Sequence, residues 1–205
     1  KEQFRKITAN LKAAGFNVLF FQVRPMNDAF YPSRYNPSSR FMLGSEGASM
    51  GGFDPLKFMI SECRRNKIEF HAWLNPYRVC GKTKLSPRQY LATLDKKNFA
   101  RRNPQFVLSP QSETTGYRTL ILNPGVPQVR EHIFATVYEI VSRYKVDAIH
   151  FDDYFYPYGG VGNSDAATYR QFNPGKLSLG NWRRNNVDLV IKGVKNILAA
   201  QQKKS

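Results

Sequence analysis

Apolar positions along this chain alternate between long helical stripes and short dense runs. Phe4, Ile7, Leu11 and Ala14 recur at helical spacing over residues 2–14, and Gly15 follows at the expected C′ position. Phe16 to Arg24 is a near-continuous apolar run, as in a strand covered on both faces, and Pro25 stops it. Asp54 and Pro55 then open a helix as N-cap and N1, with Leu56, Met59, Ile60 and Cys63 on its stripe. Ile68 to Asn75 is a second strand, ended by Pro76. Pro127 to Tyr144 is a helix carrying Val129, Ile133, Val137, Ile140 and Val141 on its core side. Val146 begins a third strand, and Asp152-Asp153 stand where it ends. A final helix runs from about Asn181 to Gln201.

The segments between these elements are unequal. Long loops follow each strand, over residues 25–53, from Pro76 to about 125, and 155–180. The second is expected to hold a short helix near 86–98 and a hairpin pairing Phe106–Leu108 with Thr119–Leu122. Returns from helix to strand are only a few residues. Alternating helix and strand implies a parallel sheet with right-handed crossovers. Loops built out after every strand fit a (β/α)8 TIM barrel, whose chemistry sits on that face. A doubly wound open sheet is the alternative. Three strands cannot close a barrel of about eight, so the expected fold is α/β with only part of the barrel present.

Composition narrows the picture. The chain has 205 residues, 41% apolar and 14% aromatic, enough for one packed domain spanning residues 1–205. No run of about 18 apolar residues occurs, so no membrane span is expected. The chain opens on Lys1-Glu2, without an initiator Met or signal-like segment, and reads as a piece of something longer. Cys63 and Cys80 lack metal-ligand spacing. Cys63 reads as a small core residue, and a bridge between the two is left open. Net charge is +16, which favours polyanionic partners. The cations are scattered in pairs such as Arg64-Arg65, Arg101-Arg102 and Arg183-Arg184. A nucleic-acid interface would concentrate them beside stacking aromatics, so none is expected. No GxGxxG follows the first strand and no P-loop is present, which gives nucleotide binding little support.

Side chains alternate along a strand. Phe20, Gln22 and Arg24 share one face of the first strand; His71, Trp73 and Asn75 share one face of the second; His150 and Asp152 share one face of the third. The apolar sets on the opposite faces suit a helix layer. Gln22, Arg24, His71, Trp73, Asn75, His150 and Asp152 are therefore expected to converge at one mouth, and a self-satisfied buried network is the bland alternative. A carboxylate is costly to desolvate, so two acids at a strand end point to an open cleft. Asp153, turned the other way, reads as an anchor for the next loop and as a contact at the rim. Asp54 is a cap. His71, His150 and Asp152 have the donor types of a metal site, but no close-spaced His pair occurs, so no metal or other cofactor is expected.

These residues resemble one known family. The motifs are Phe20-Phe21-Gln22-Val23-Arg24-Pro25 with Asp28 to Ser33, Gly52-Phe53-Asp54-Pro55-Leu56, and His71 to Arg78. They continue with Leu122-Asn123-Pro124-Gly125, Val146-Asp147, Ile149 to Pro157 and Trp182 to Asn186. Together they are similar to the glycosyl hydrolase-like family 10 domain of bacterial envelope hydrolases, with Ala148 where Gly is commoner and Gly51 where Pro is commoner. The resemblance implies a TIM barrel that hydrolyses a glycan, entered at about strand two and left at about helix four. It implies a periplasmic or extracellular place in the cell envelope and a polysaccharide substrate, which the basic surface lets be anionic. It places Asp152 where related α-galactosidase-like barrels hold a carboxylate nucleophile. Glycosidases generally use two carboxyl groups, about 5–9.5 Å apart. Asp28, just beyond the first strand, is the candidate for the second inside this chain, and the absent part of the barrel is the preferred place for it. Trp73, Tyr77, Tyr154 and Tyr156 are candidates to stack on sugar rings, with Arg78 at the same mouth. A non-catalytic glycan-binding domain is the alternative function.

Overall fold

The computed structural model describes residues 1–202. Three strands, β1 (Val18–Arg24), β2 (Glu69–Leu74) and β6 (Ala148–His150), form a parallel sheet in the order β1-β2-β6. Helices α1 (Glu2–Ala13), α3 (Pro55–Arg65), α6 (Pro127–Arg143) and α8 (Leu179–Gln202) accompany it. This is a mixed α/β arrangement.

Local chemistry explains where the helices begin and end. Asp54 Oδ1 accepts the Lys57 amide at 3.1 Å and caps α3, with Pro55 in the first turn. Gly15 adopts φ 81° after α1, a conformation that costs glycine little. Val23, Phe70, Ala72 and Leu74 are fully buried in the same core as Leu56 and Ile60 of α3, Ile133 and Val137 of α6, and Val190 of α8. The expected apolar faces therefore do meet the helix layer. Both cysteines are buried and free, Cys63 in the core cluster as expected.

Four segments differ from the sequence expectation. The long excursion after β2 holds a second, antiparallel sheet in the order β3-β5-β4, from β3 (Arg78–Thr83), β4 (Val107–Leu108) and β5 (Arg118–Leu122). The β4–β5 pairing is the expected hairpin, and β3 is an added strand. The same excursion holds α4 (Pro87–Thr93), started by a Ser86–Gln89 capping box, and the short α5 (Phe99–Arg102). A short α2 (Arg40–Leu43) interrupts the first loop, and α7 (Ala166–Gln171) the third. The third parallel strand is also shorter than expected and stops at His150, so the facing of Asp152 is set by loop geometry.

Close approach fixes one glycine. A Cβ on Gly125 would run into the indole of Trp182, which is buried and donates its Nε1–H to the Phe172 carbonyl at 2.8 Å. Gly125→Ala is expected to cost about 1–3 kcal/mol through overpacking, measured as a lower urea midpoint with an unchanged slope.

His132 on α6 sets an acid limit. Its ring stacks on Phe99 with centroids 4.2 Å apart. Burial, aided by the charges of Arg24 and Arg102, lowers its pKa from near 6.5 to about 3. Between those values the unfolded chain takes up a proton that the native ring refuses, so stability falls as pH drops through this window. By about pH 4 the loss is of order 3 kcal/mol. His132→Phe keeps the stacked ring and is expected to flatten the acid limb between pH 7 and 4, read from urea unfolding at each pH.

Candidate active site

The inner face of the parallel sheet carries a cluster that the strand register assembles. Phe20 stands opposite His71, Gln22 opposite Trp73, and Trp73 opposite His150. The Phe20 ring meets His71 at 4.8 Å and His150 at 4.9 Å, both edge-on, and Trp73 meets His150 at 5.9 Å. Phe20 is still 50% exposed. Gln22, His71, Trp73 and His150 are therefore brought together as the alternation predicts. Gln22 Nε2 and Trp73 Nε1 are buried donors with no partner among the described residues. His71 Nε2 lies 3.0 Å from Glu69 Oε2, which shares its face two residues earlier.

Arg24 does not join this set. Between Gln22 and Arg24 the register with β2 slips, so that Arg24 stands opposite Leu74. A one-residue slip sends a side chain to the other face. Arg24 is accordingly 1% exposed. Its Nη1 donates to the Asn75 and Pro76 carbonyls at 2.5 and 3.3 Å, its Nη2 to Asn27 at 2.8 Å, and its Nε to Asn36 at 3.4 Å. Asn36 in turn donates to Thr136 on α6 at 3.1 Å. Burial lowers the guanidinium pKa to about 10, against the opposing charge of Asp28.

Asn75 is likewise turned to structure. It is fully buried, and its Oδ1 accepts the amides of Tyr77 at 3.3 Å and Arg78 at 2.8 Å, shaping the exit from β2. Tyr77 is buried, its ring 6.4 Å from Phe155. Asp28 is 3% exposed, and its Oδ1 accepts the Met26 amide at 3.0 Å. Burial raises its pKa, against a hydrogen bond from Ser39 and the charges of Arg24 and Arg40. Glu46 lies nearby, also raised by burial, and accepts from Asn98 at 2.6 Å.

The open part of the site lies just past β6. Asp152 is half-buried, and its Oδ1 accepts the Tyr154 amide at 3.0 Å. The Tyr154 ring is covered by the Arg78 guanidinium at 4.6 Å and meets Tyr158 edge-on at 5.3 Å. Asp153 is exposed and accepts the Tyr158 hydroxyl at 2.8 Å. That hydrogen bond, with the charges of Asp153 and Asp152, raises the Tyr158 pKa. Arg78, Asp152, Asp153 and Tyr154 thus form one rim. Tyr158 joins it without having been singled out; the signal was the Tyr156-Pro157-Tyr158-Gly159-Gly160 turn, two residues after the acid pair. His71, His150 and Asp152 form no metal-holding cluster among the described residues.

The model of the family described as glycosyl hydrolase-like 10 matches residues 1–204. The chain belongs to that family. It is 36% identical over 203 residues to glycosyl hydrolase YngK of Bacillus subtilis, covering 98% of this chain and 38% of that protein. It is 38% identical over 194 residues to glycosyl hydrolase DigH of Escherichia coli K12, covering 92% of this chain and 42% of that protein. The chain thus spans roughly two fifths of these curated relatives. Among solved structures it resembles an exo β-N-acetylglucosaminidase from Vibrio harveyi, with TM-score 0.63 at 11% identity over 96% of this chain and 32% of that one. It also resembles the α-galactosidase AgaA from Geobacillus stearothermophilus, with TM-score 0.51 at 13% identity over 95% of this chain and 24% of that one. At such identities the likeness speaks for fold, and both neighbours are barrel-type glycoside hydrolases.

Proposed function

We propose that this chain is part of a (β/α)8 barrel glycosidase that hydrolyses a polysaccharide of the bacterial envelope at the carboxyl ends of its parallel strands. The observation that carries the reading is the placement of Asp152. It follows β6 by two residues, stays half open to solvent, and stands on a rim of Arg78, Tyr154 and Asp153 beside the inner-face His150. Strand ends in such barrels are where substrates bind. Asp152 acts as nucleophile or base, and the Tyr154 amide that it accepts helps to orient its carboxylate. Tyr154 and Tyr158 offer ring faces to sugars. Asp28, so deeply buried, serves the chemistry only if the first loop opens, and a second carboxylate elsewhere in a longer protein meets the two-acid requirement more simply.

The second reading is a glycan-binding domain without catalysis, favoured by the burial of Asp28. Reducing ends released from a purified envelope glycan by the full-length protein separate the two. Steady release supports hydrolysis; binding without any release sinks it.

A further inference from the structure

The loop that leaves β6 carries the rim around Asp152 and then returns to the body of the protein through a buried cluster. Val161 is 2% exposed and belongs to the core, so the segment between His150 and Val161 is closed at both ends. Within it Phe155 and Tyr156 pack against the same core, whereas Tyr158 is 79% exposed. The Gly160 amide donates to the Pro157 carbonyl at 2.7 Å and closes the turn on which Tyr158 stands. Tyr158 is nonetheless held, by its hydrogen bond to Asp153 and its edge contact with Tyr154.

One side chain from outside the loop holds its return. Arg183 on α8 donates from Nε to Asp165 Oδ2 at 2.8 Å, and from Nη2 to Asp165 Oδ1 at 2.6 Å and the Gly162 carbonyl at 2.5 Å. Asp165 is fully buried. The fixed fork of a guanidinium matches both oxygens of such a carboxylate and still reaches a third acceptor. The support beneath Arg183 is itself rigid, because its neighbour Trp182 is buried and its ring meets Tyr169 at 5.4 Å. Tyr156 links this clasp to the rim: its buried hydroxyl lies beside Asn186 of α8, within the charges of Asp165 and Arg183.

We propose that Arg183 is a positioning residue for substrate binding. By gripping Asp165 and Gly162 it fixes the return of the loop, and with it the place of the Tyr158 ring on the rim. The inference rests on the reading of Asp152 as the site of cleavage and of Tyr158 as a ring face offered to sugars. Asp152 lies within two residues of the strand anchor, whereas Tyr158 lies four residues before Gly162 and depends on the clasp. Loosening the clasp therefore weakens binding more than it slows the chemical step.

Steady-state release of reducing ends by the full-length protein tests this. Arg183→Lys keeps a cation beside Asp165 and so spares the fold, but one ammonium cannot reproduce the fork that serves Asp165 and Gly162 together. It is expected to raise KM for the envelope glycan about tenfold, to change kcat by less than about threefold, and to keep the thermal midpoint near that of the parent. Asp165→Asn, which keeps the shape of the acceptor, is expected to move KM in the same direction. Tyr158→Ala is expected to raise KM by itself, and adding Arg183→Lys to it is expected to raise KM by less than about twofold more, since both changes remove the same contact. An Arg183 that serves the fold alone would lower the midpoint without moving KM, or would add its full effect to that of Tyr158→Ala. Either result overturns the positioning role and leaves the glycosidase reading standing. A parent protein that releases no reducing ends overturns both.

Discussion

Asp152→Asn in the full-length protein is expected to slow glycan cleavage by about 10²- to 10⁴-fold, the range for removing a group that moves a proton or charge in the transition state. The fold is expected to survive. Among the described residues Asp152 makes one hydrogen bond, accepting the Tyr154 amide, and the Asn carbonyl oxygen can accept the same bond. Its half-exposed position also means that no buried charge is left unpaired by the change. Rate and stability should therefore separate cleanly: reducing-end release collapses while the thermal midpoint stays put. Cleavage at the parent rate would remove Asp152 from the chemistry.

The largest stability loss is expected at Arg24→Met. The guanidinium is fully enclosed and serves four acceptors, two of them backbone carbonyls at the exit of β2. Met fills much of the volume but donates nothing. Asn75 and Pro76 lose their donor, and Asp28 loses a neighbouring positive charge. Breaking one side of a buried charged network costs about 3–5 kcal/mol. Urea unfolding at neutral pH measures it; a loss below about 1 kcal/mol would mean that these acceptors are satisfied without Arg24.

The helices and the first two parallel strands were legible because their periodicities are long and their ends carry strong chemistry, as with Asp54-Pro55 on α3 and Pro76 after β2. The inner-face group of Gln22, His71, Trp73 and His150 was legible for the same reason. Arg24 was not, because nothing local in Phe-Phe-Gln-Val-Arg marks the register slip; it appears only against β2. β3 was hidden because Gly81, Lys82 and Thr83 break any apolar alternation, and its strand character comes from pairing with β5. α7 lay unseen in a Gly- and Asn-rich stretch, where Asn123 bonding to Thr168 at 2.7 Å and Tyr169 packing on Trp182 at 5.4 Å hold it. Asp152 and Asp153 were picked out as a pair, but their separate partners depend on how the chain turns after His150.

The antiparallel sheet has a further consequence. Its two ends meet, since the Leu122 amide donates to the Tyr77 carbonyl at 2.8 Å, so the whole excursion leaves and rejoins the parallel frame at one point. A segment anchored in this way can be lengthened or trimmed without redrawing β1, β2 and β6. A chimera spliced near Tyr77 and Leu122 would exchange Arg78 together with the antiparallel sheet, and so alter one side of the rim while β1, β2 and β6 stay in place.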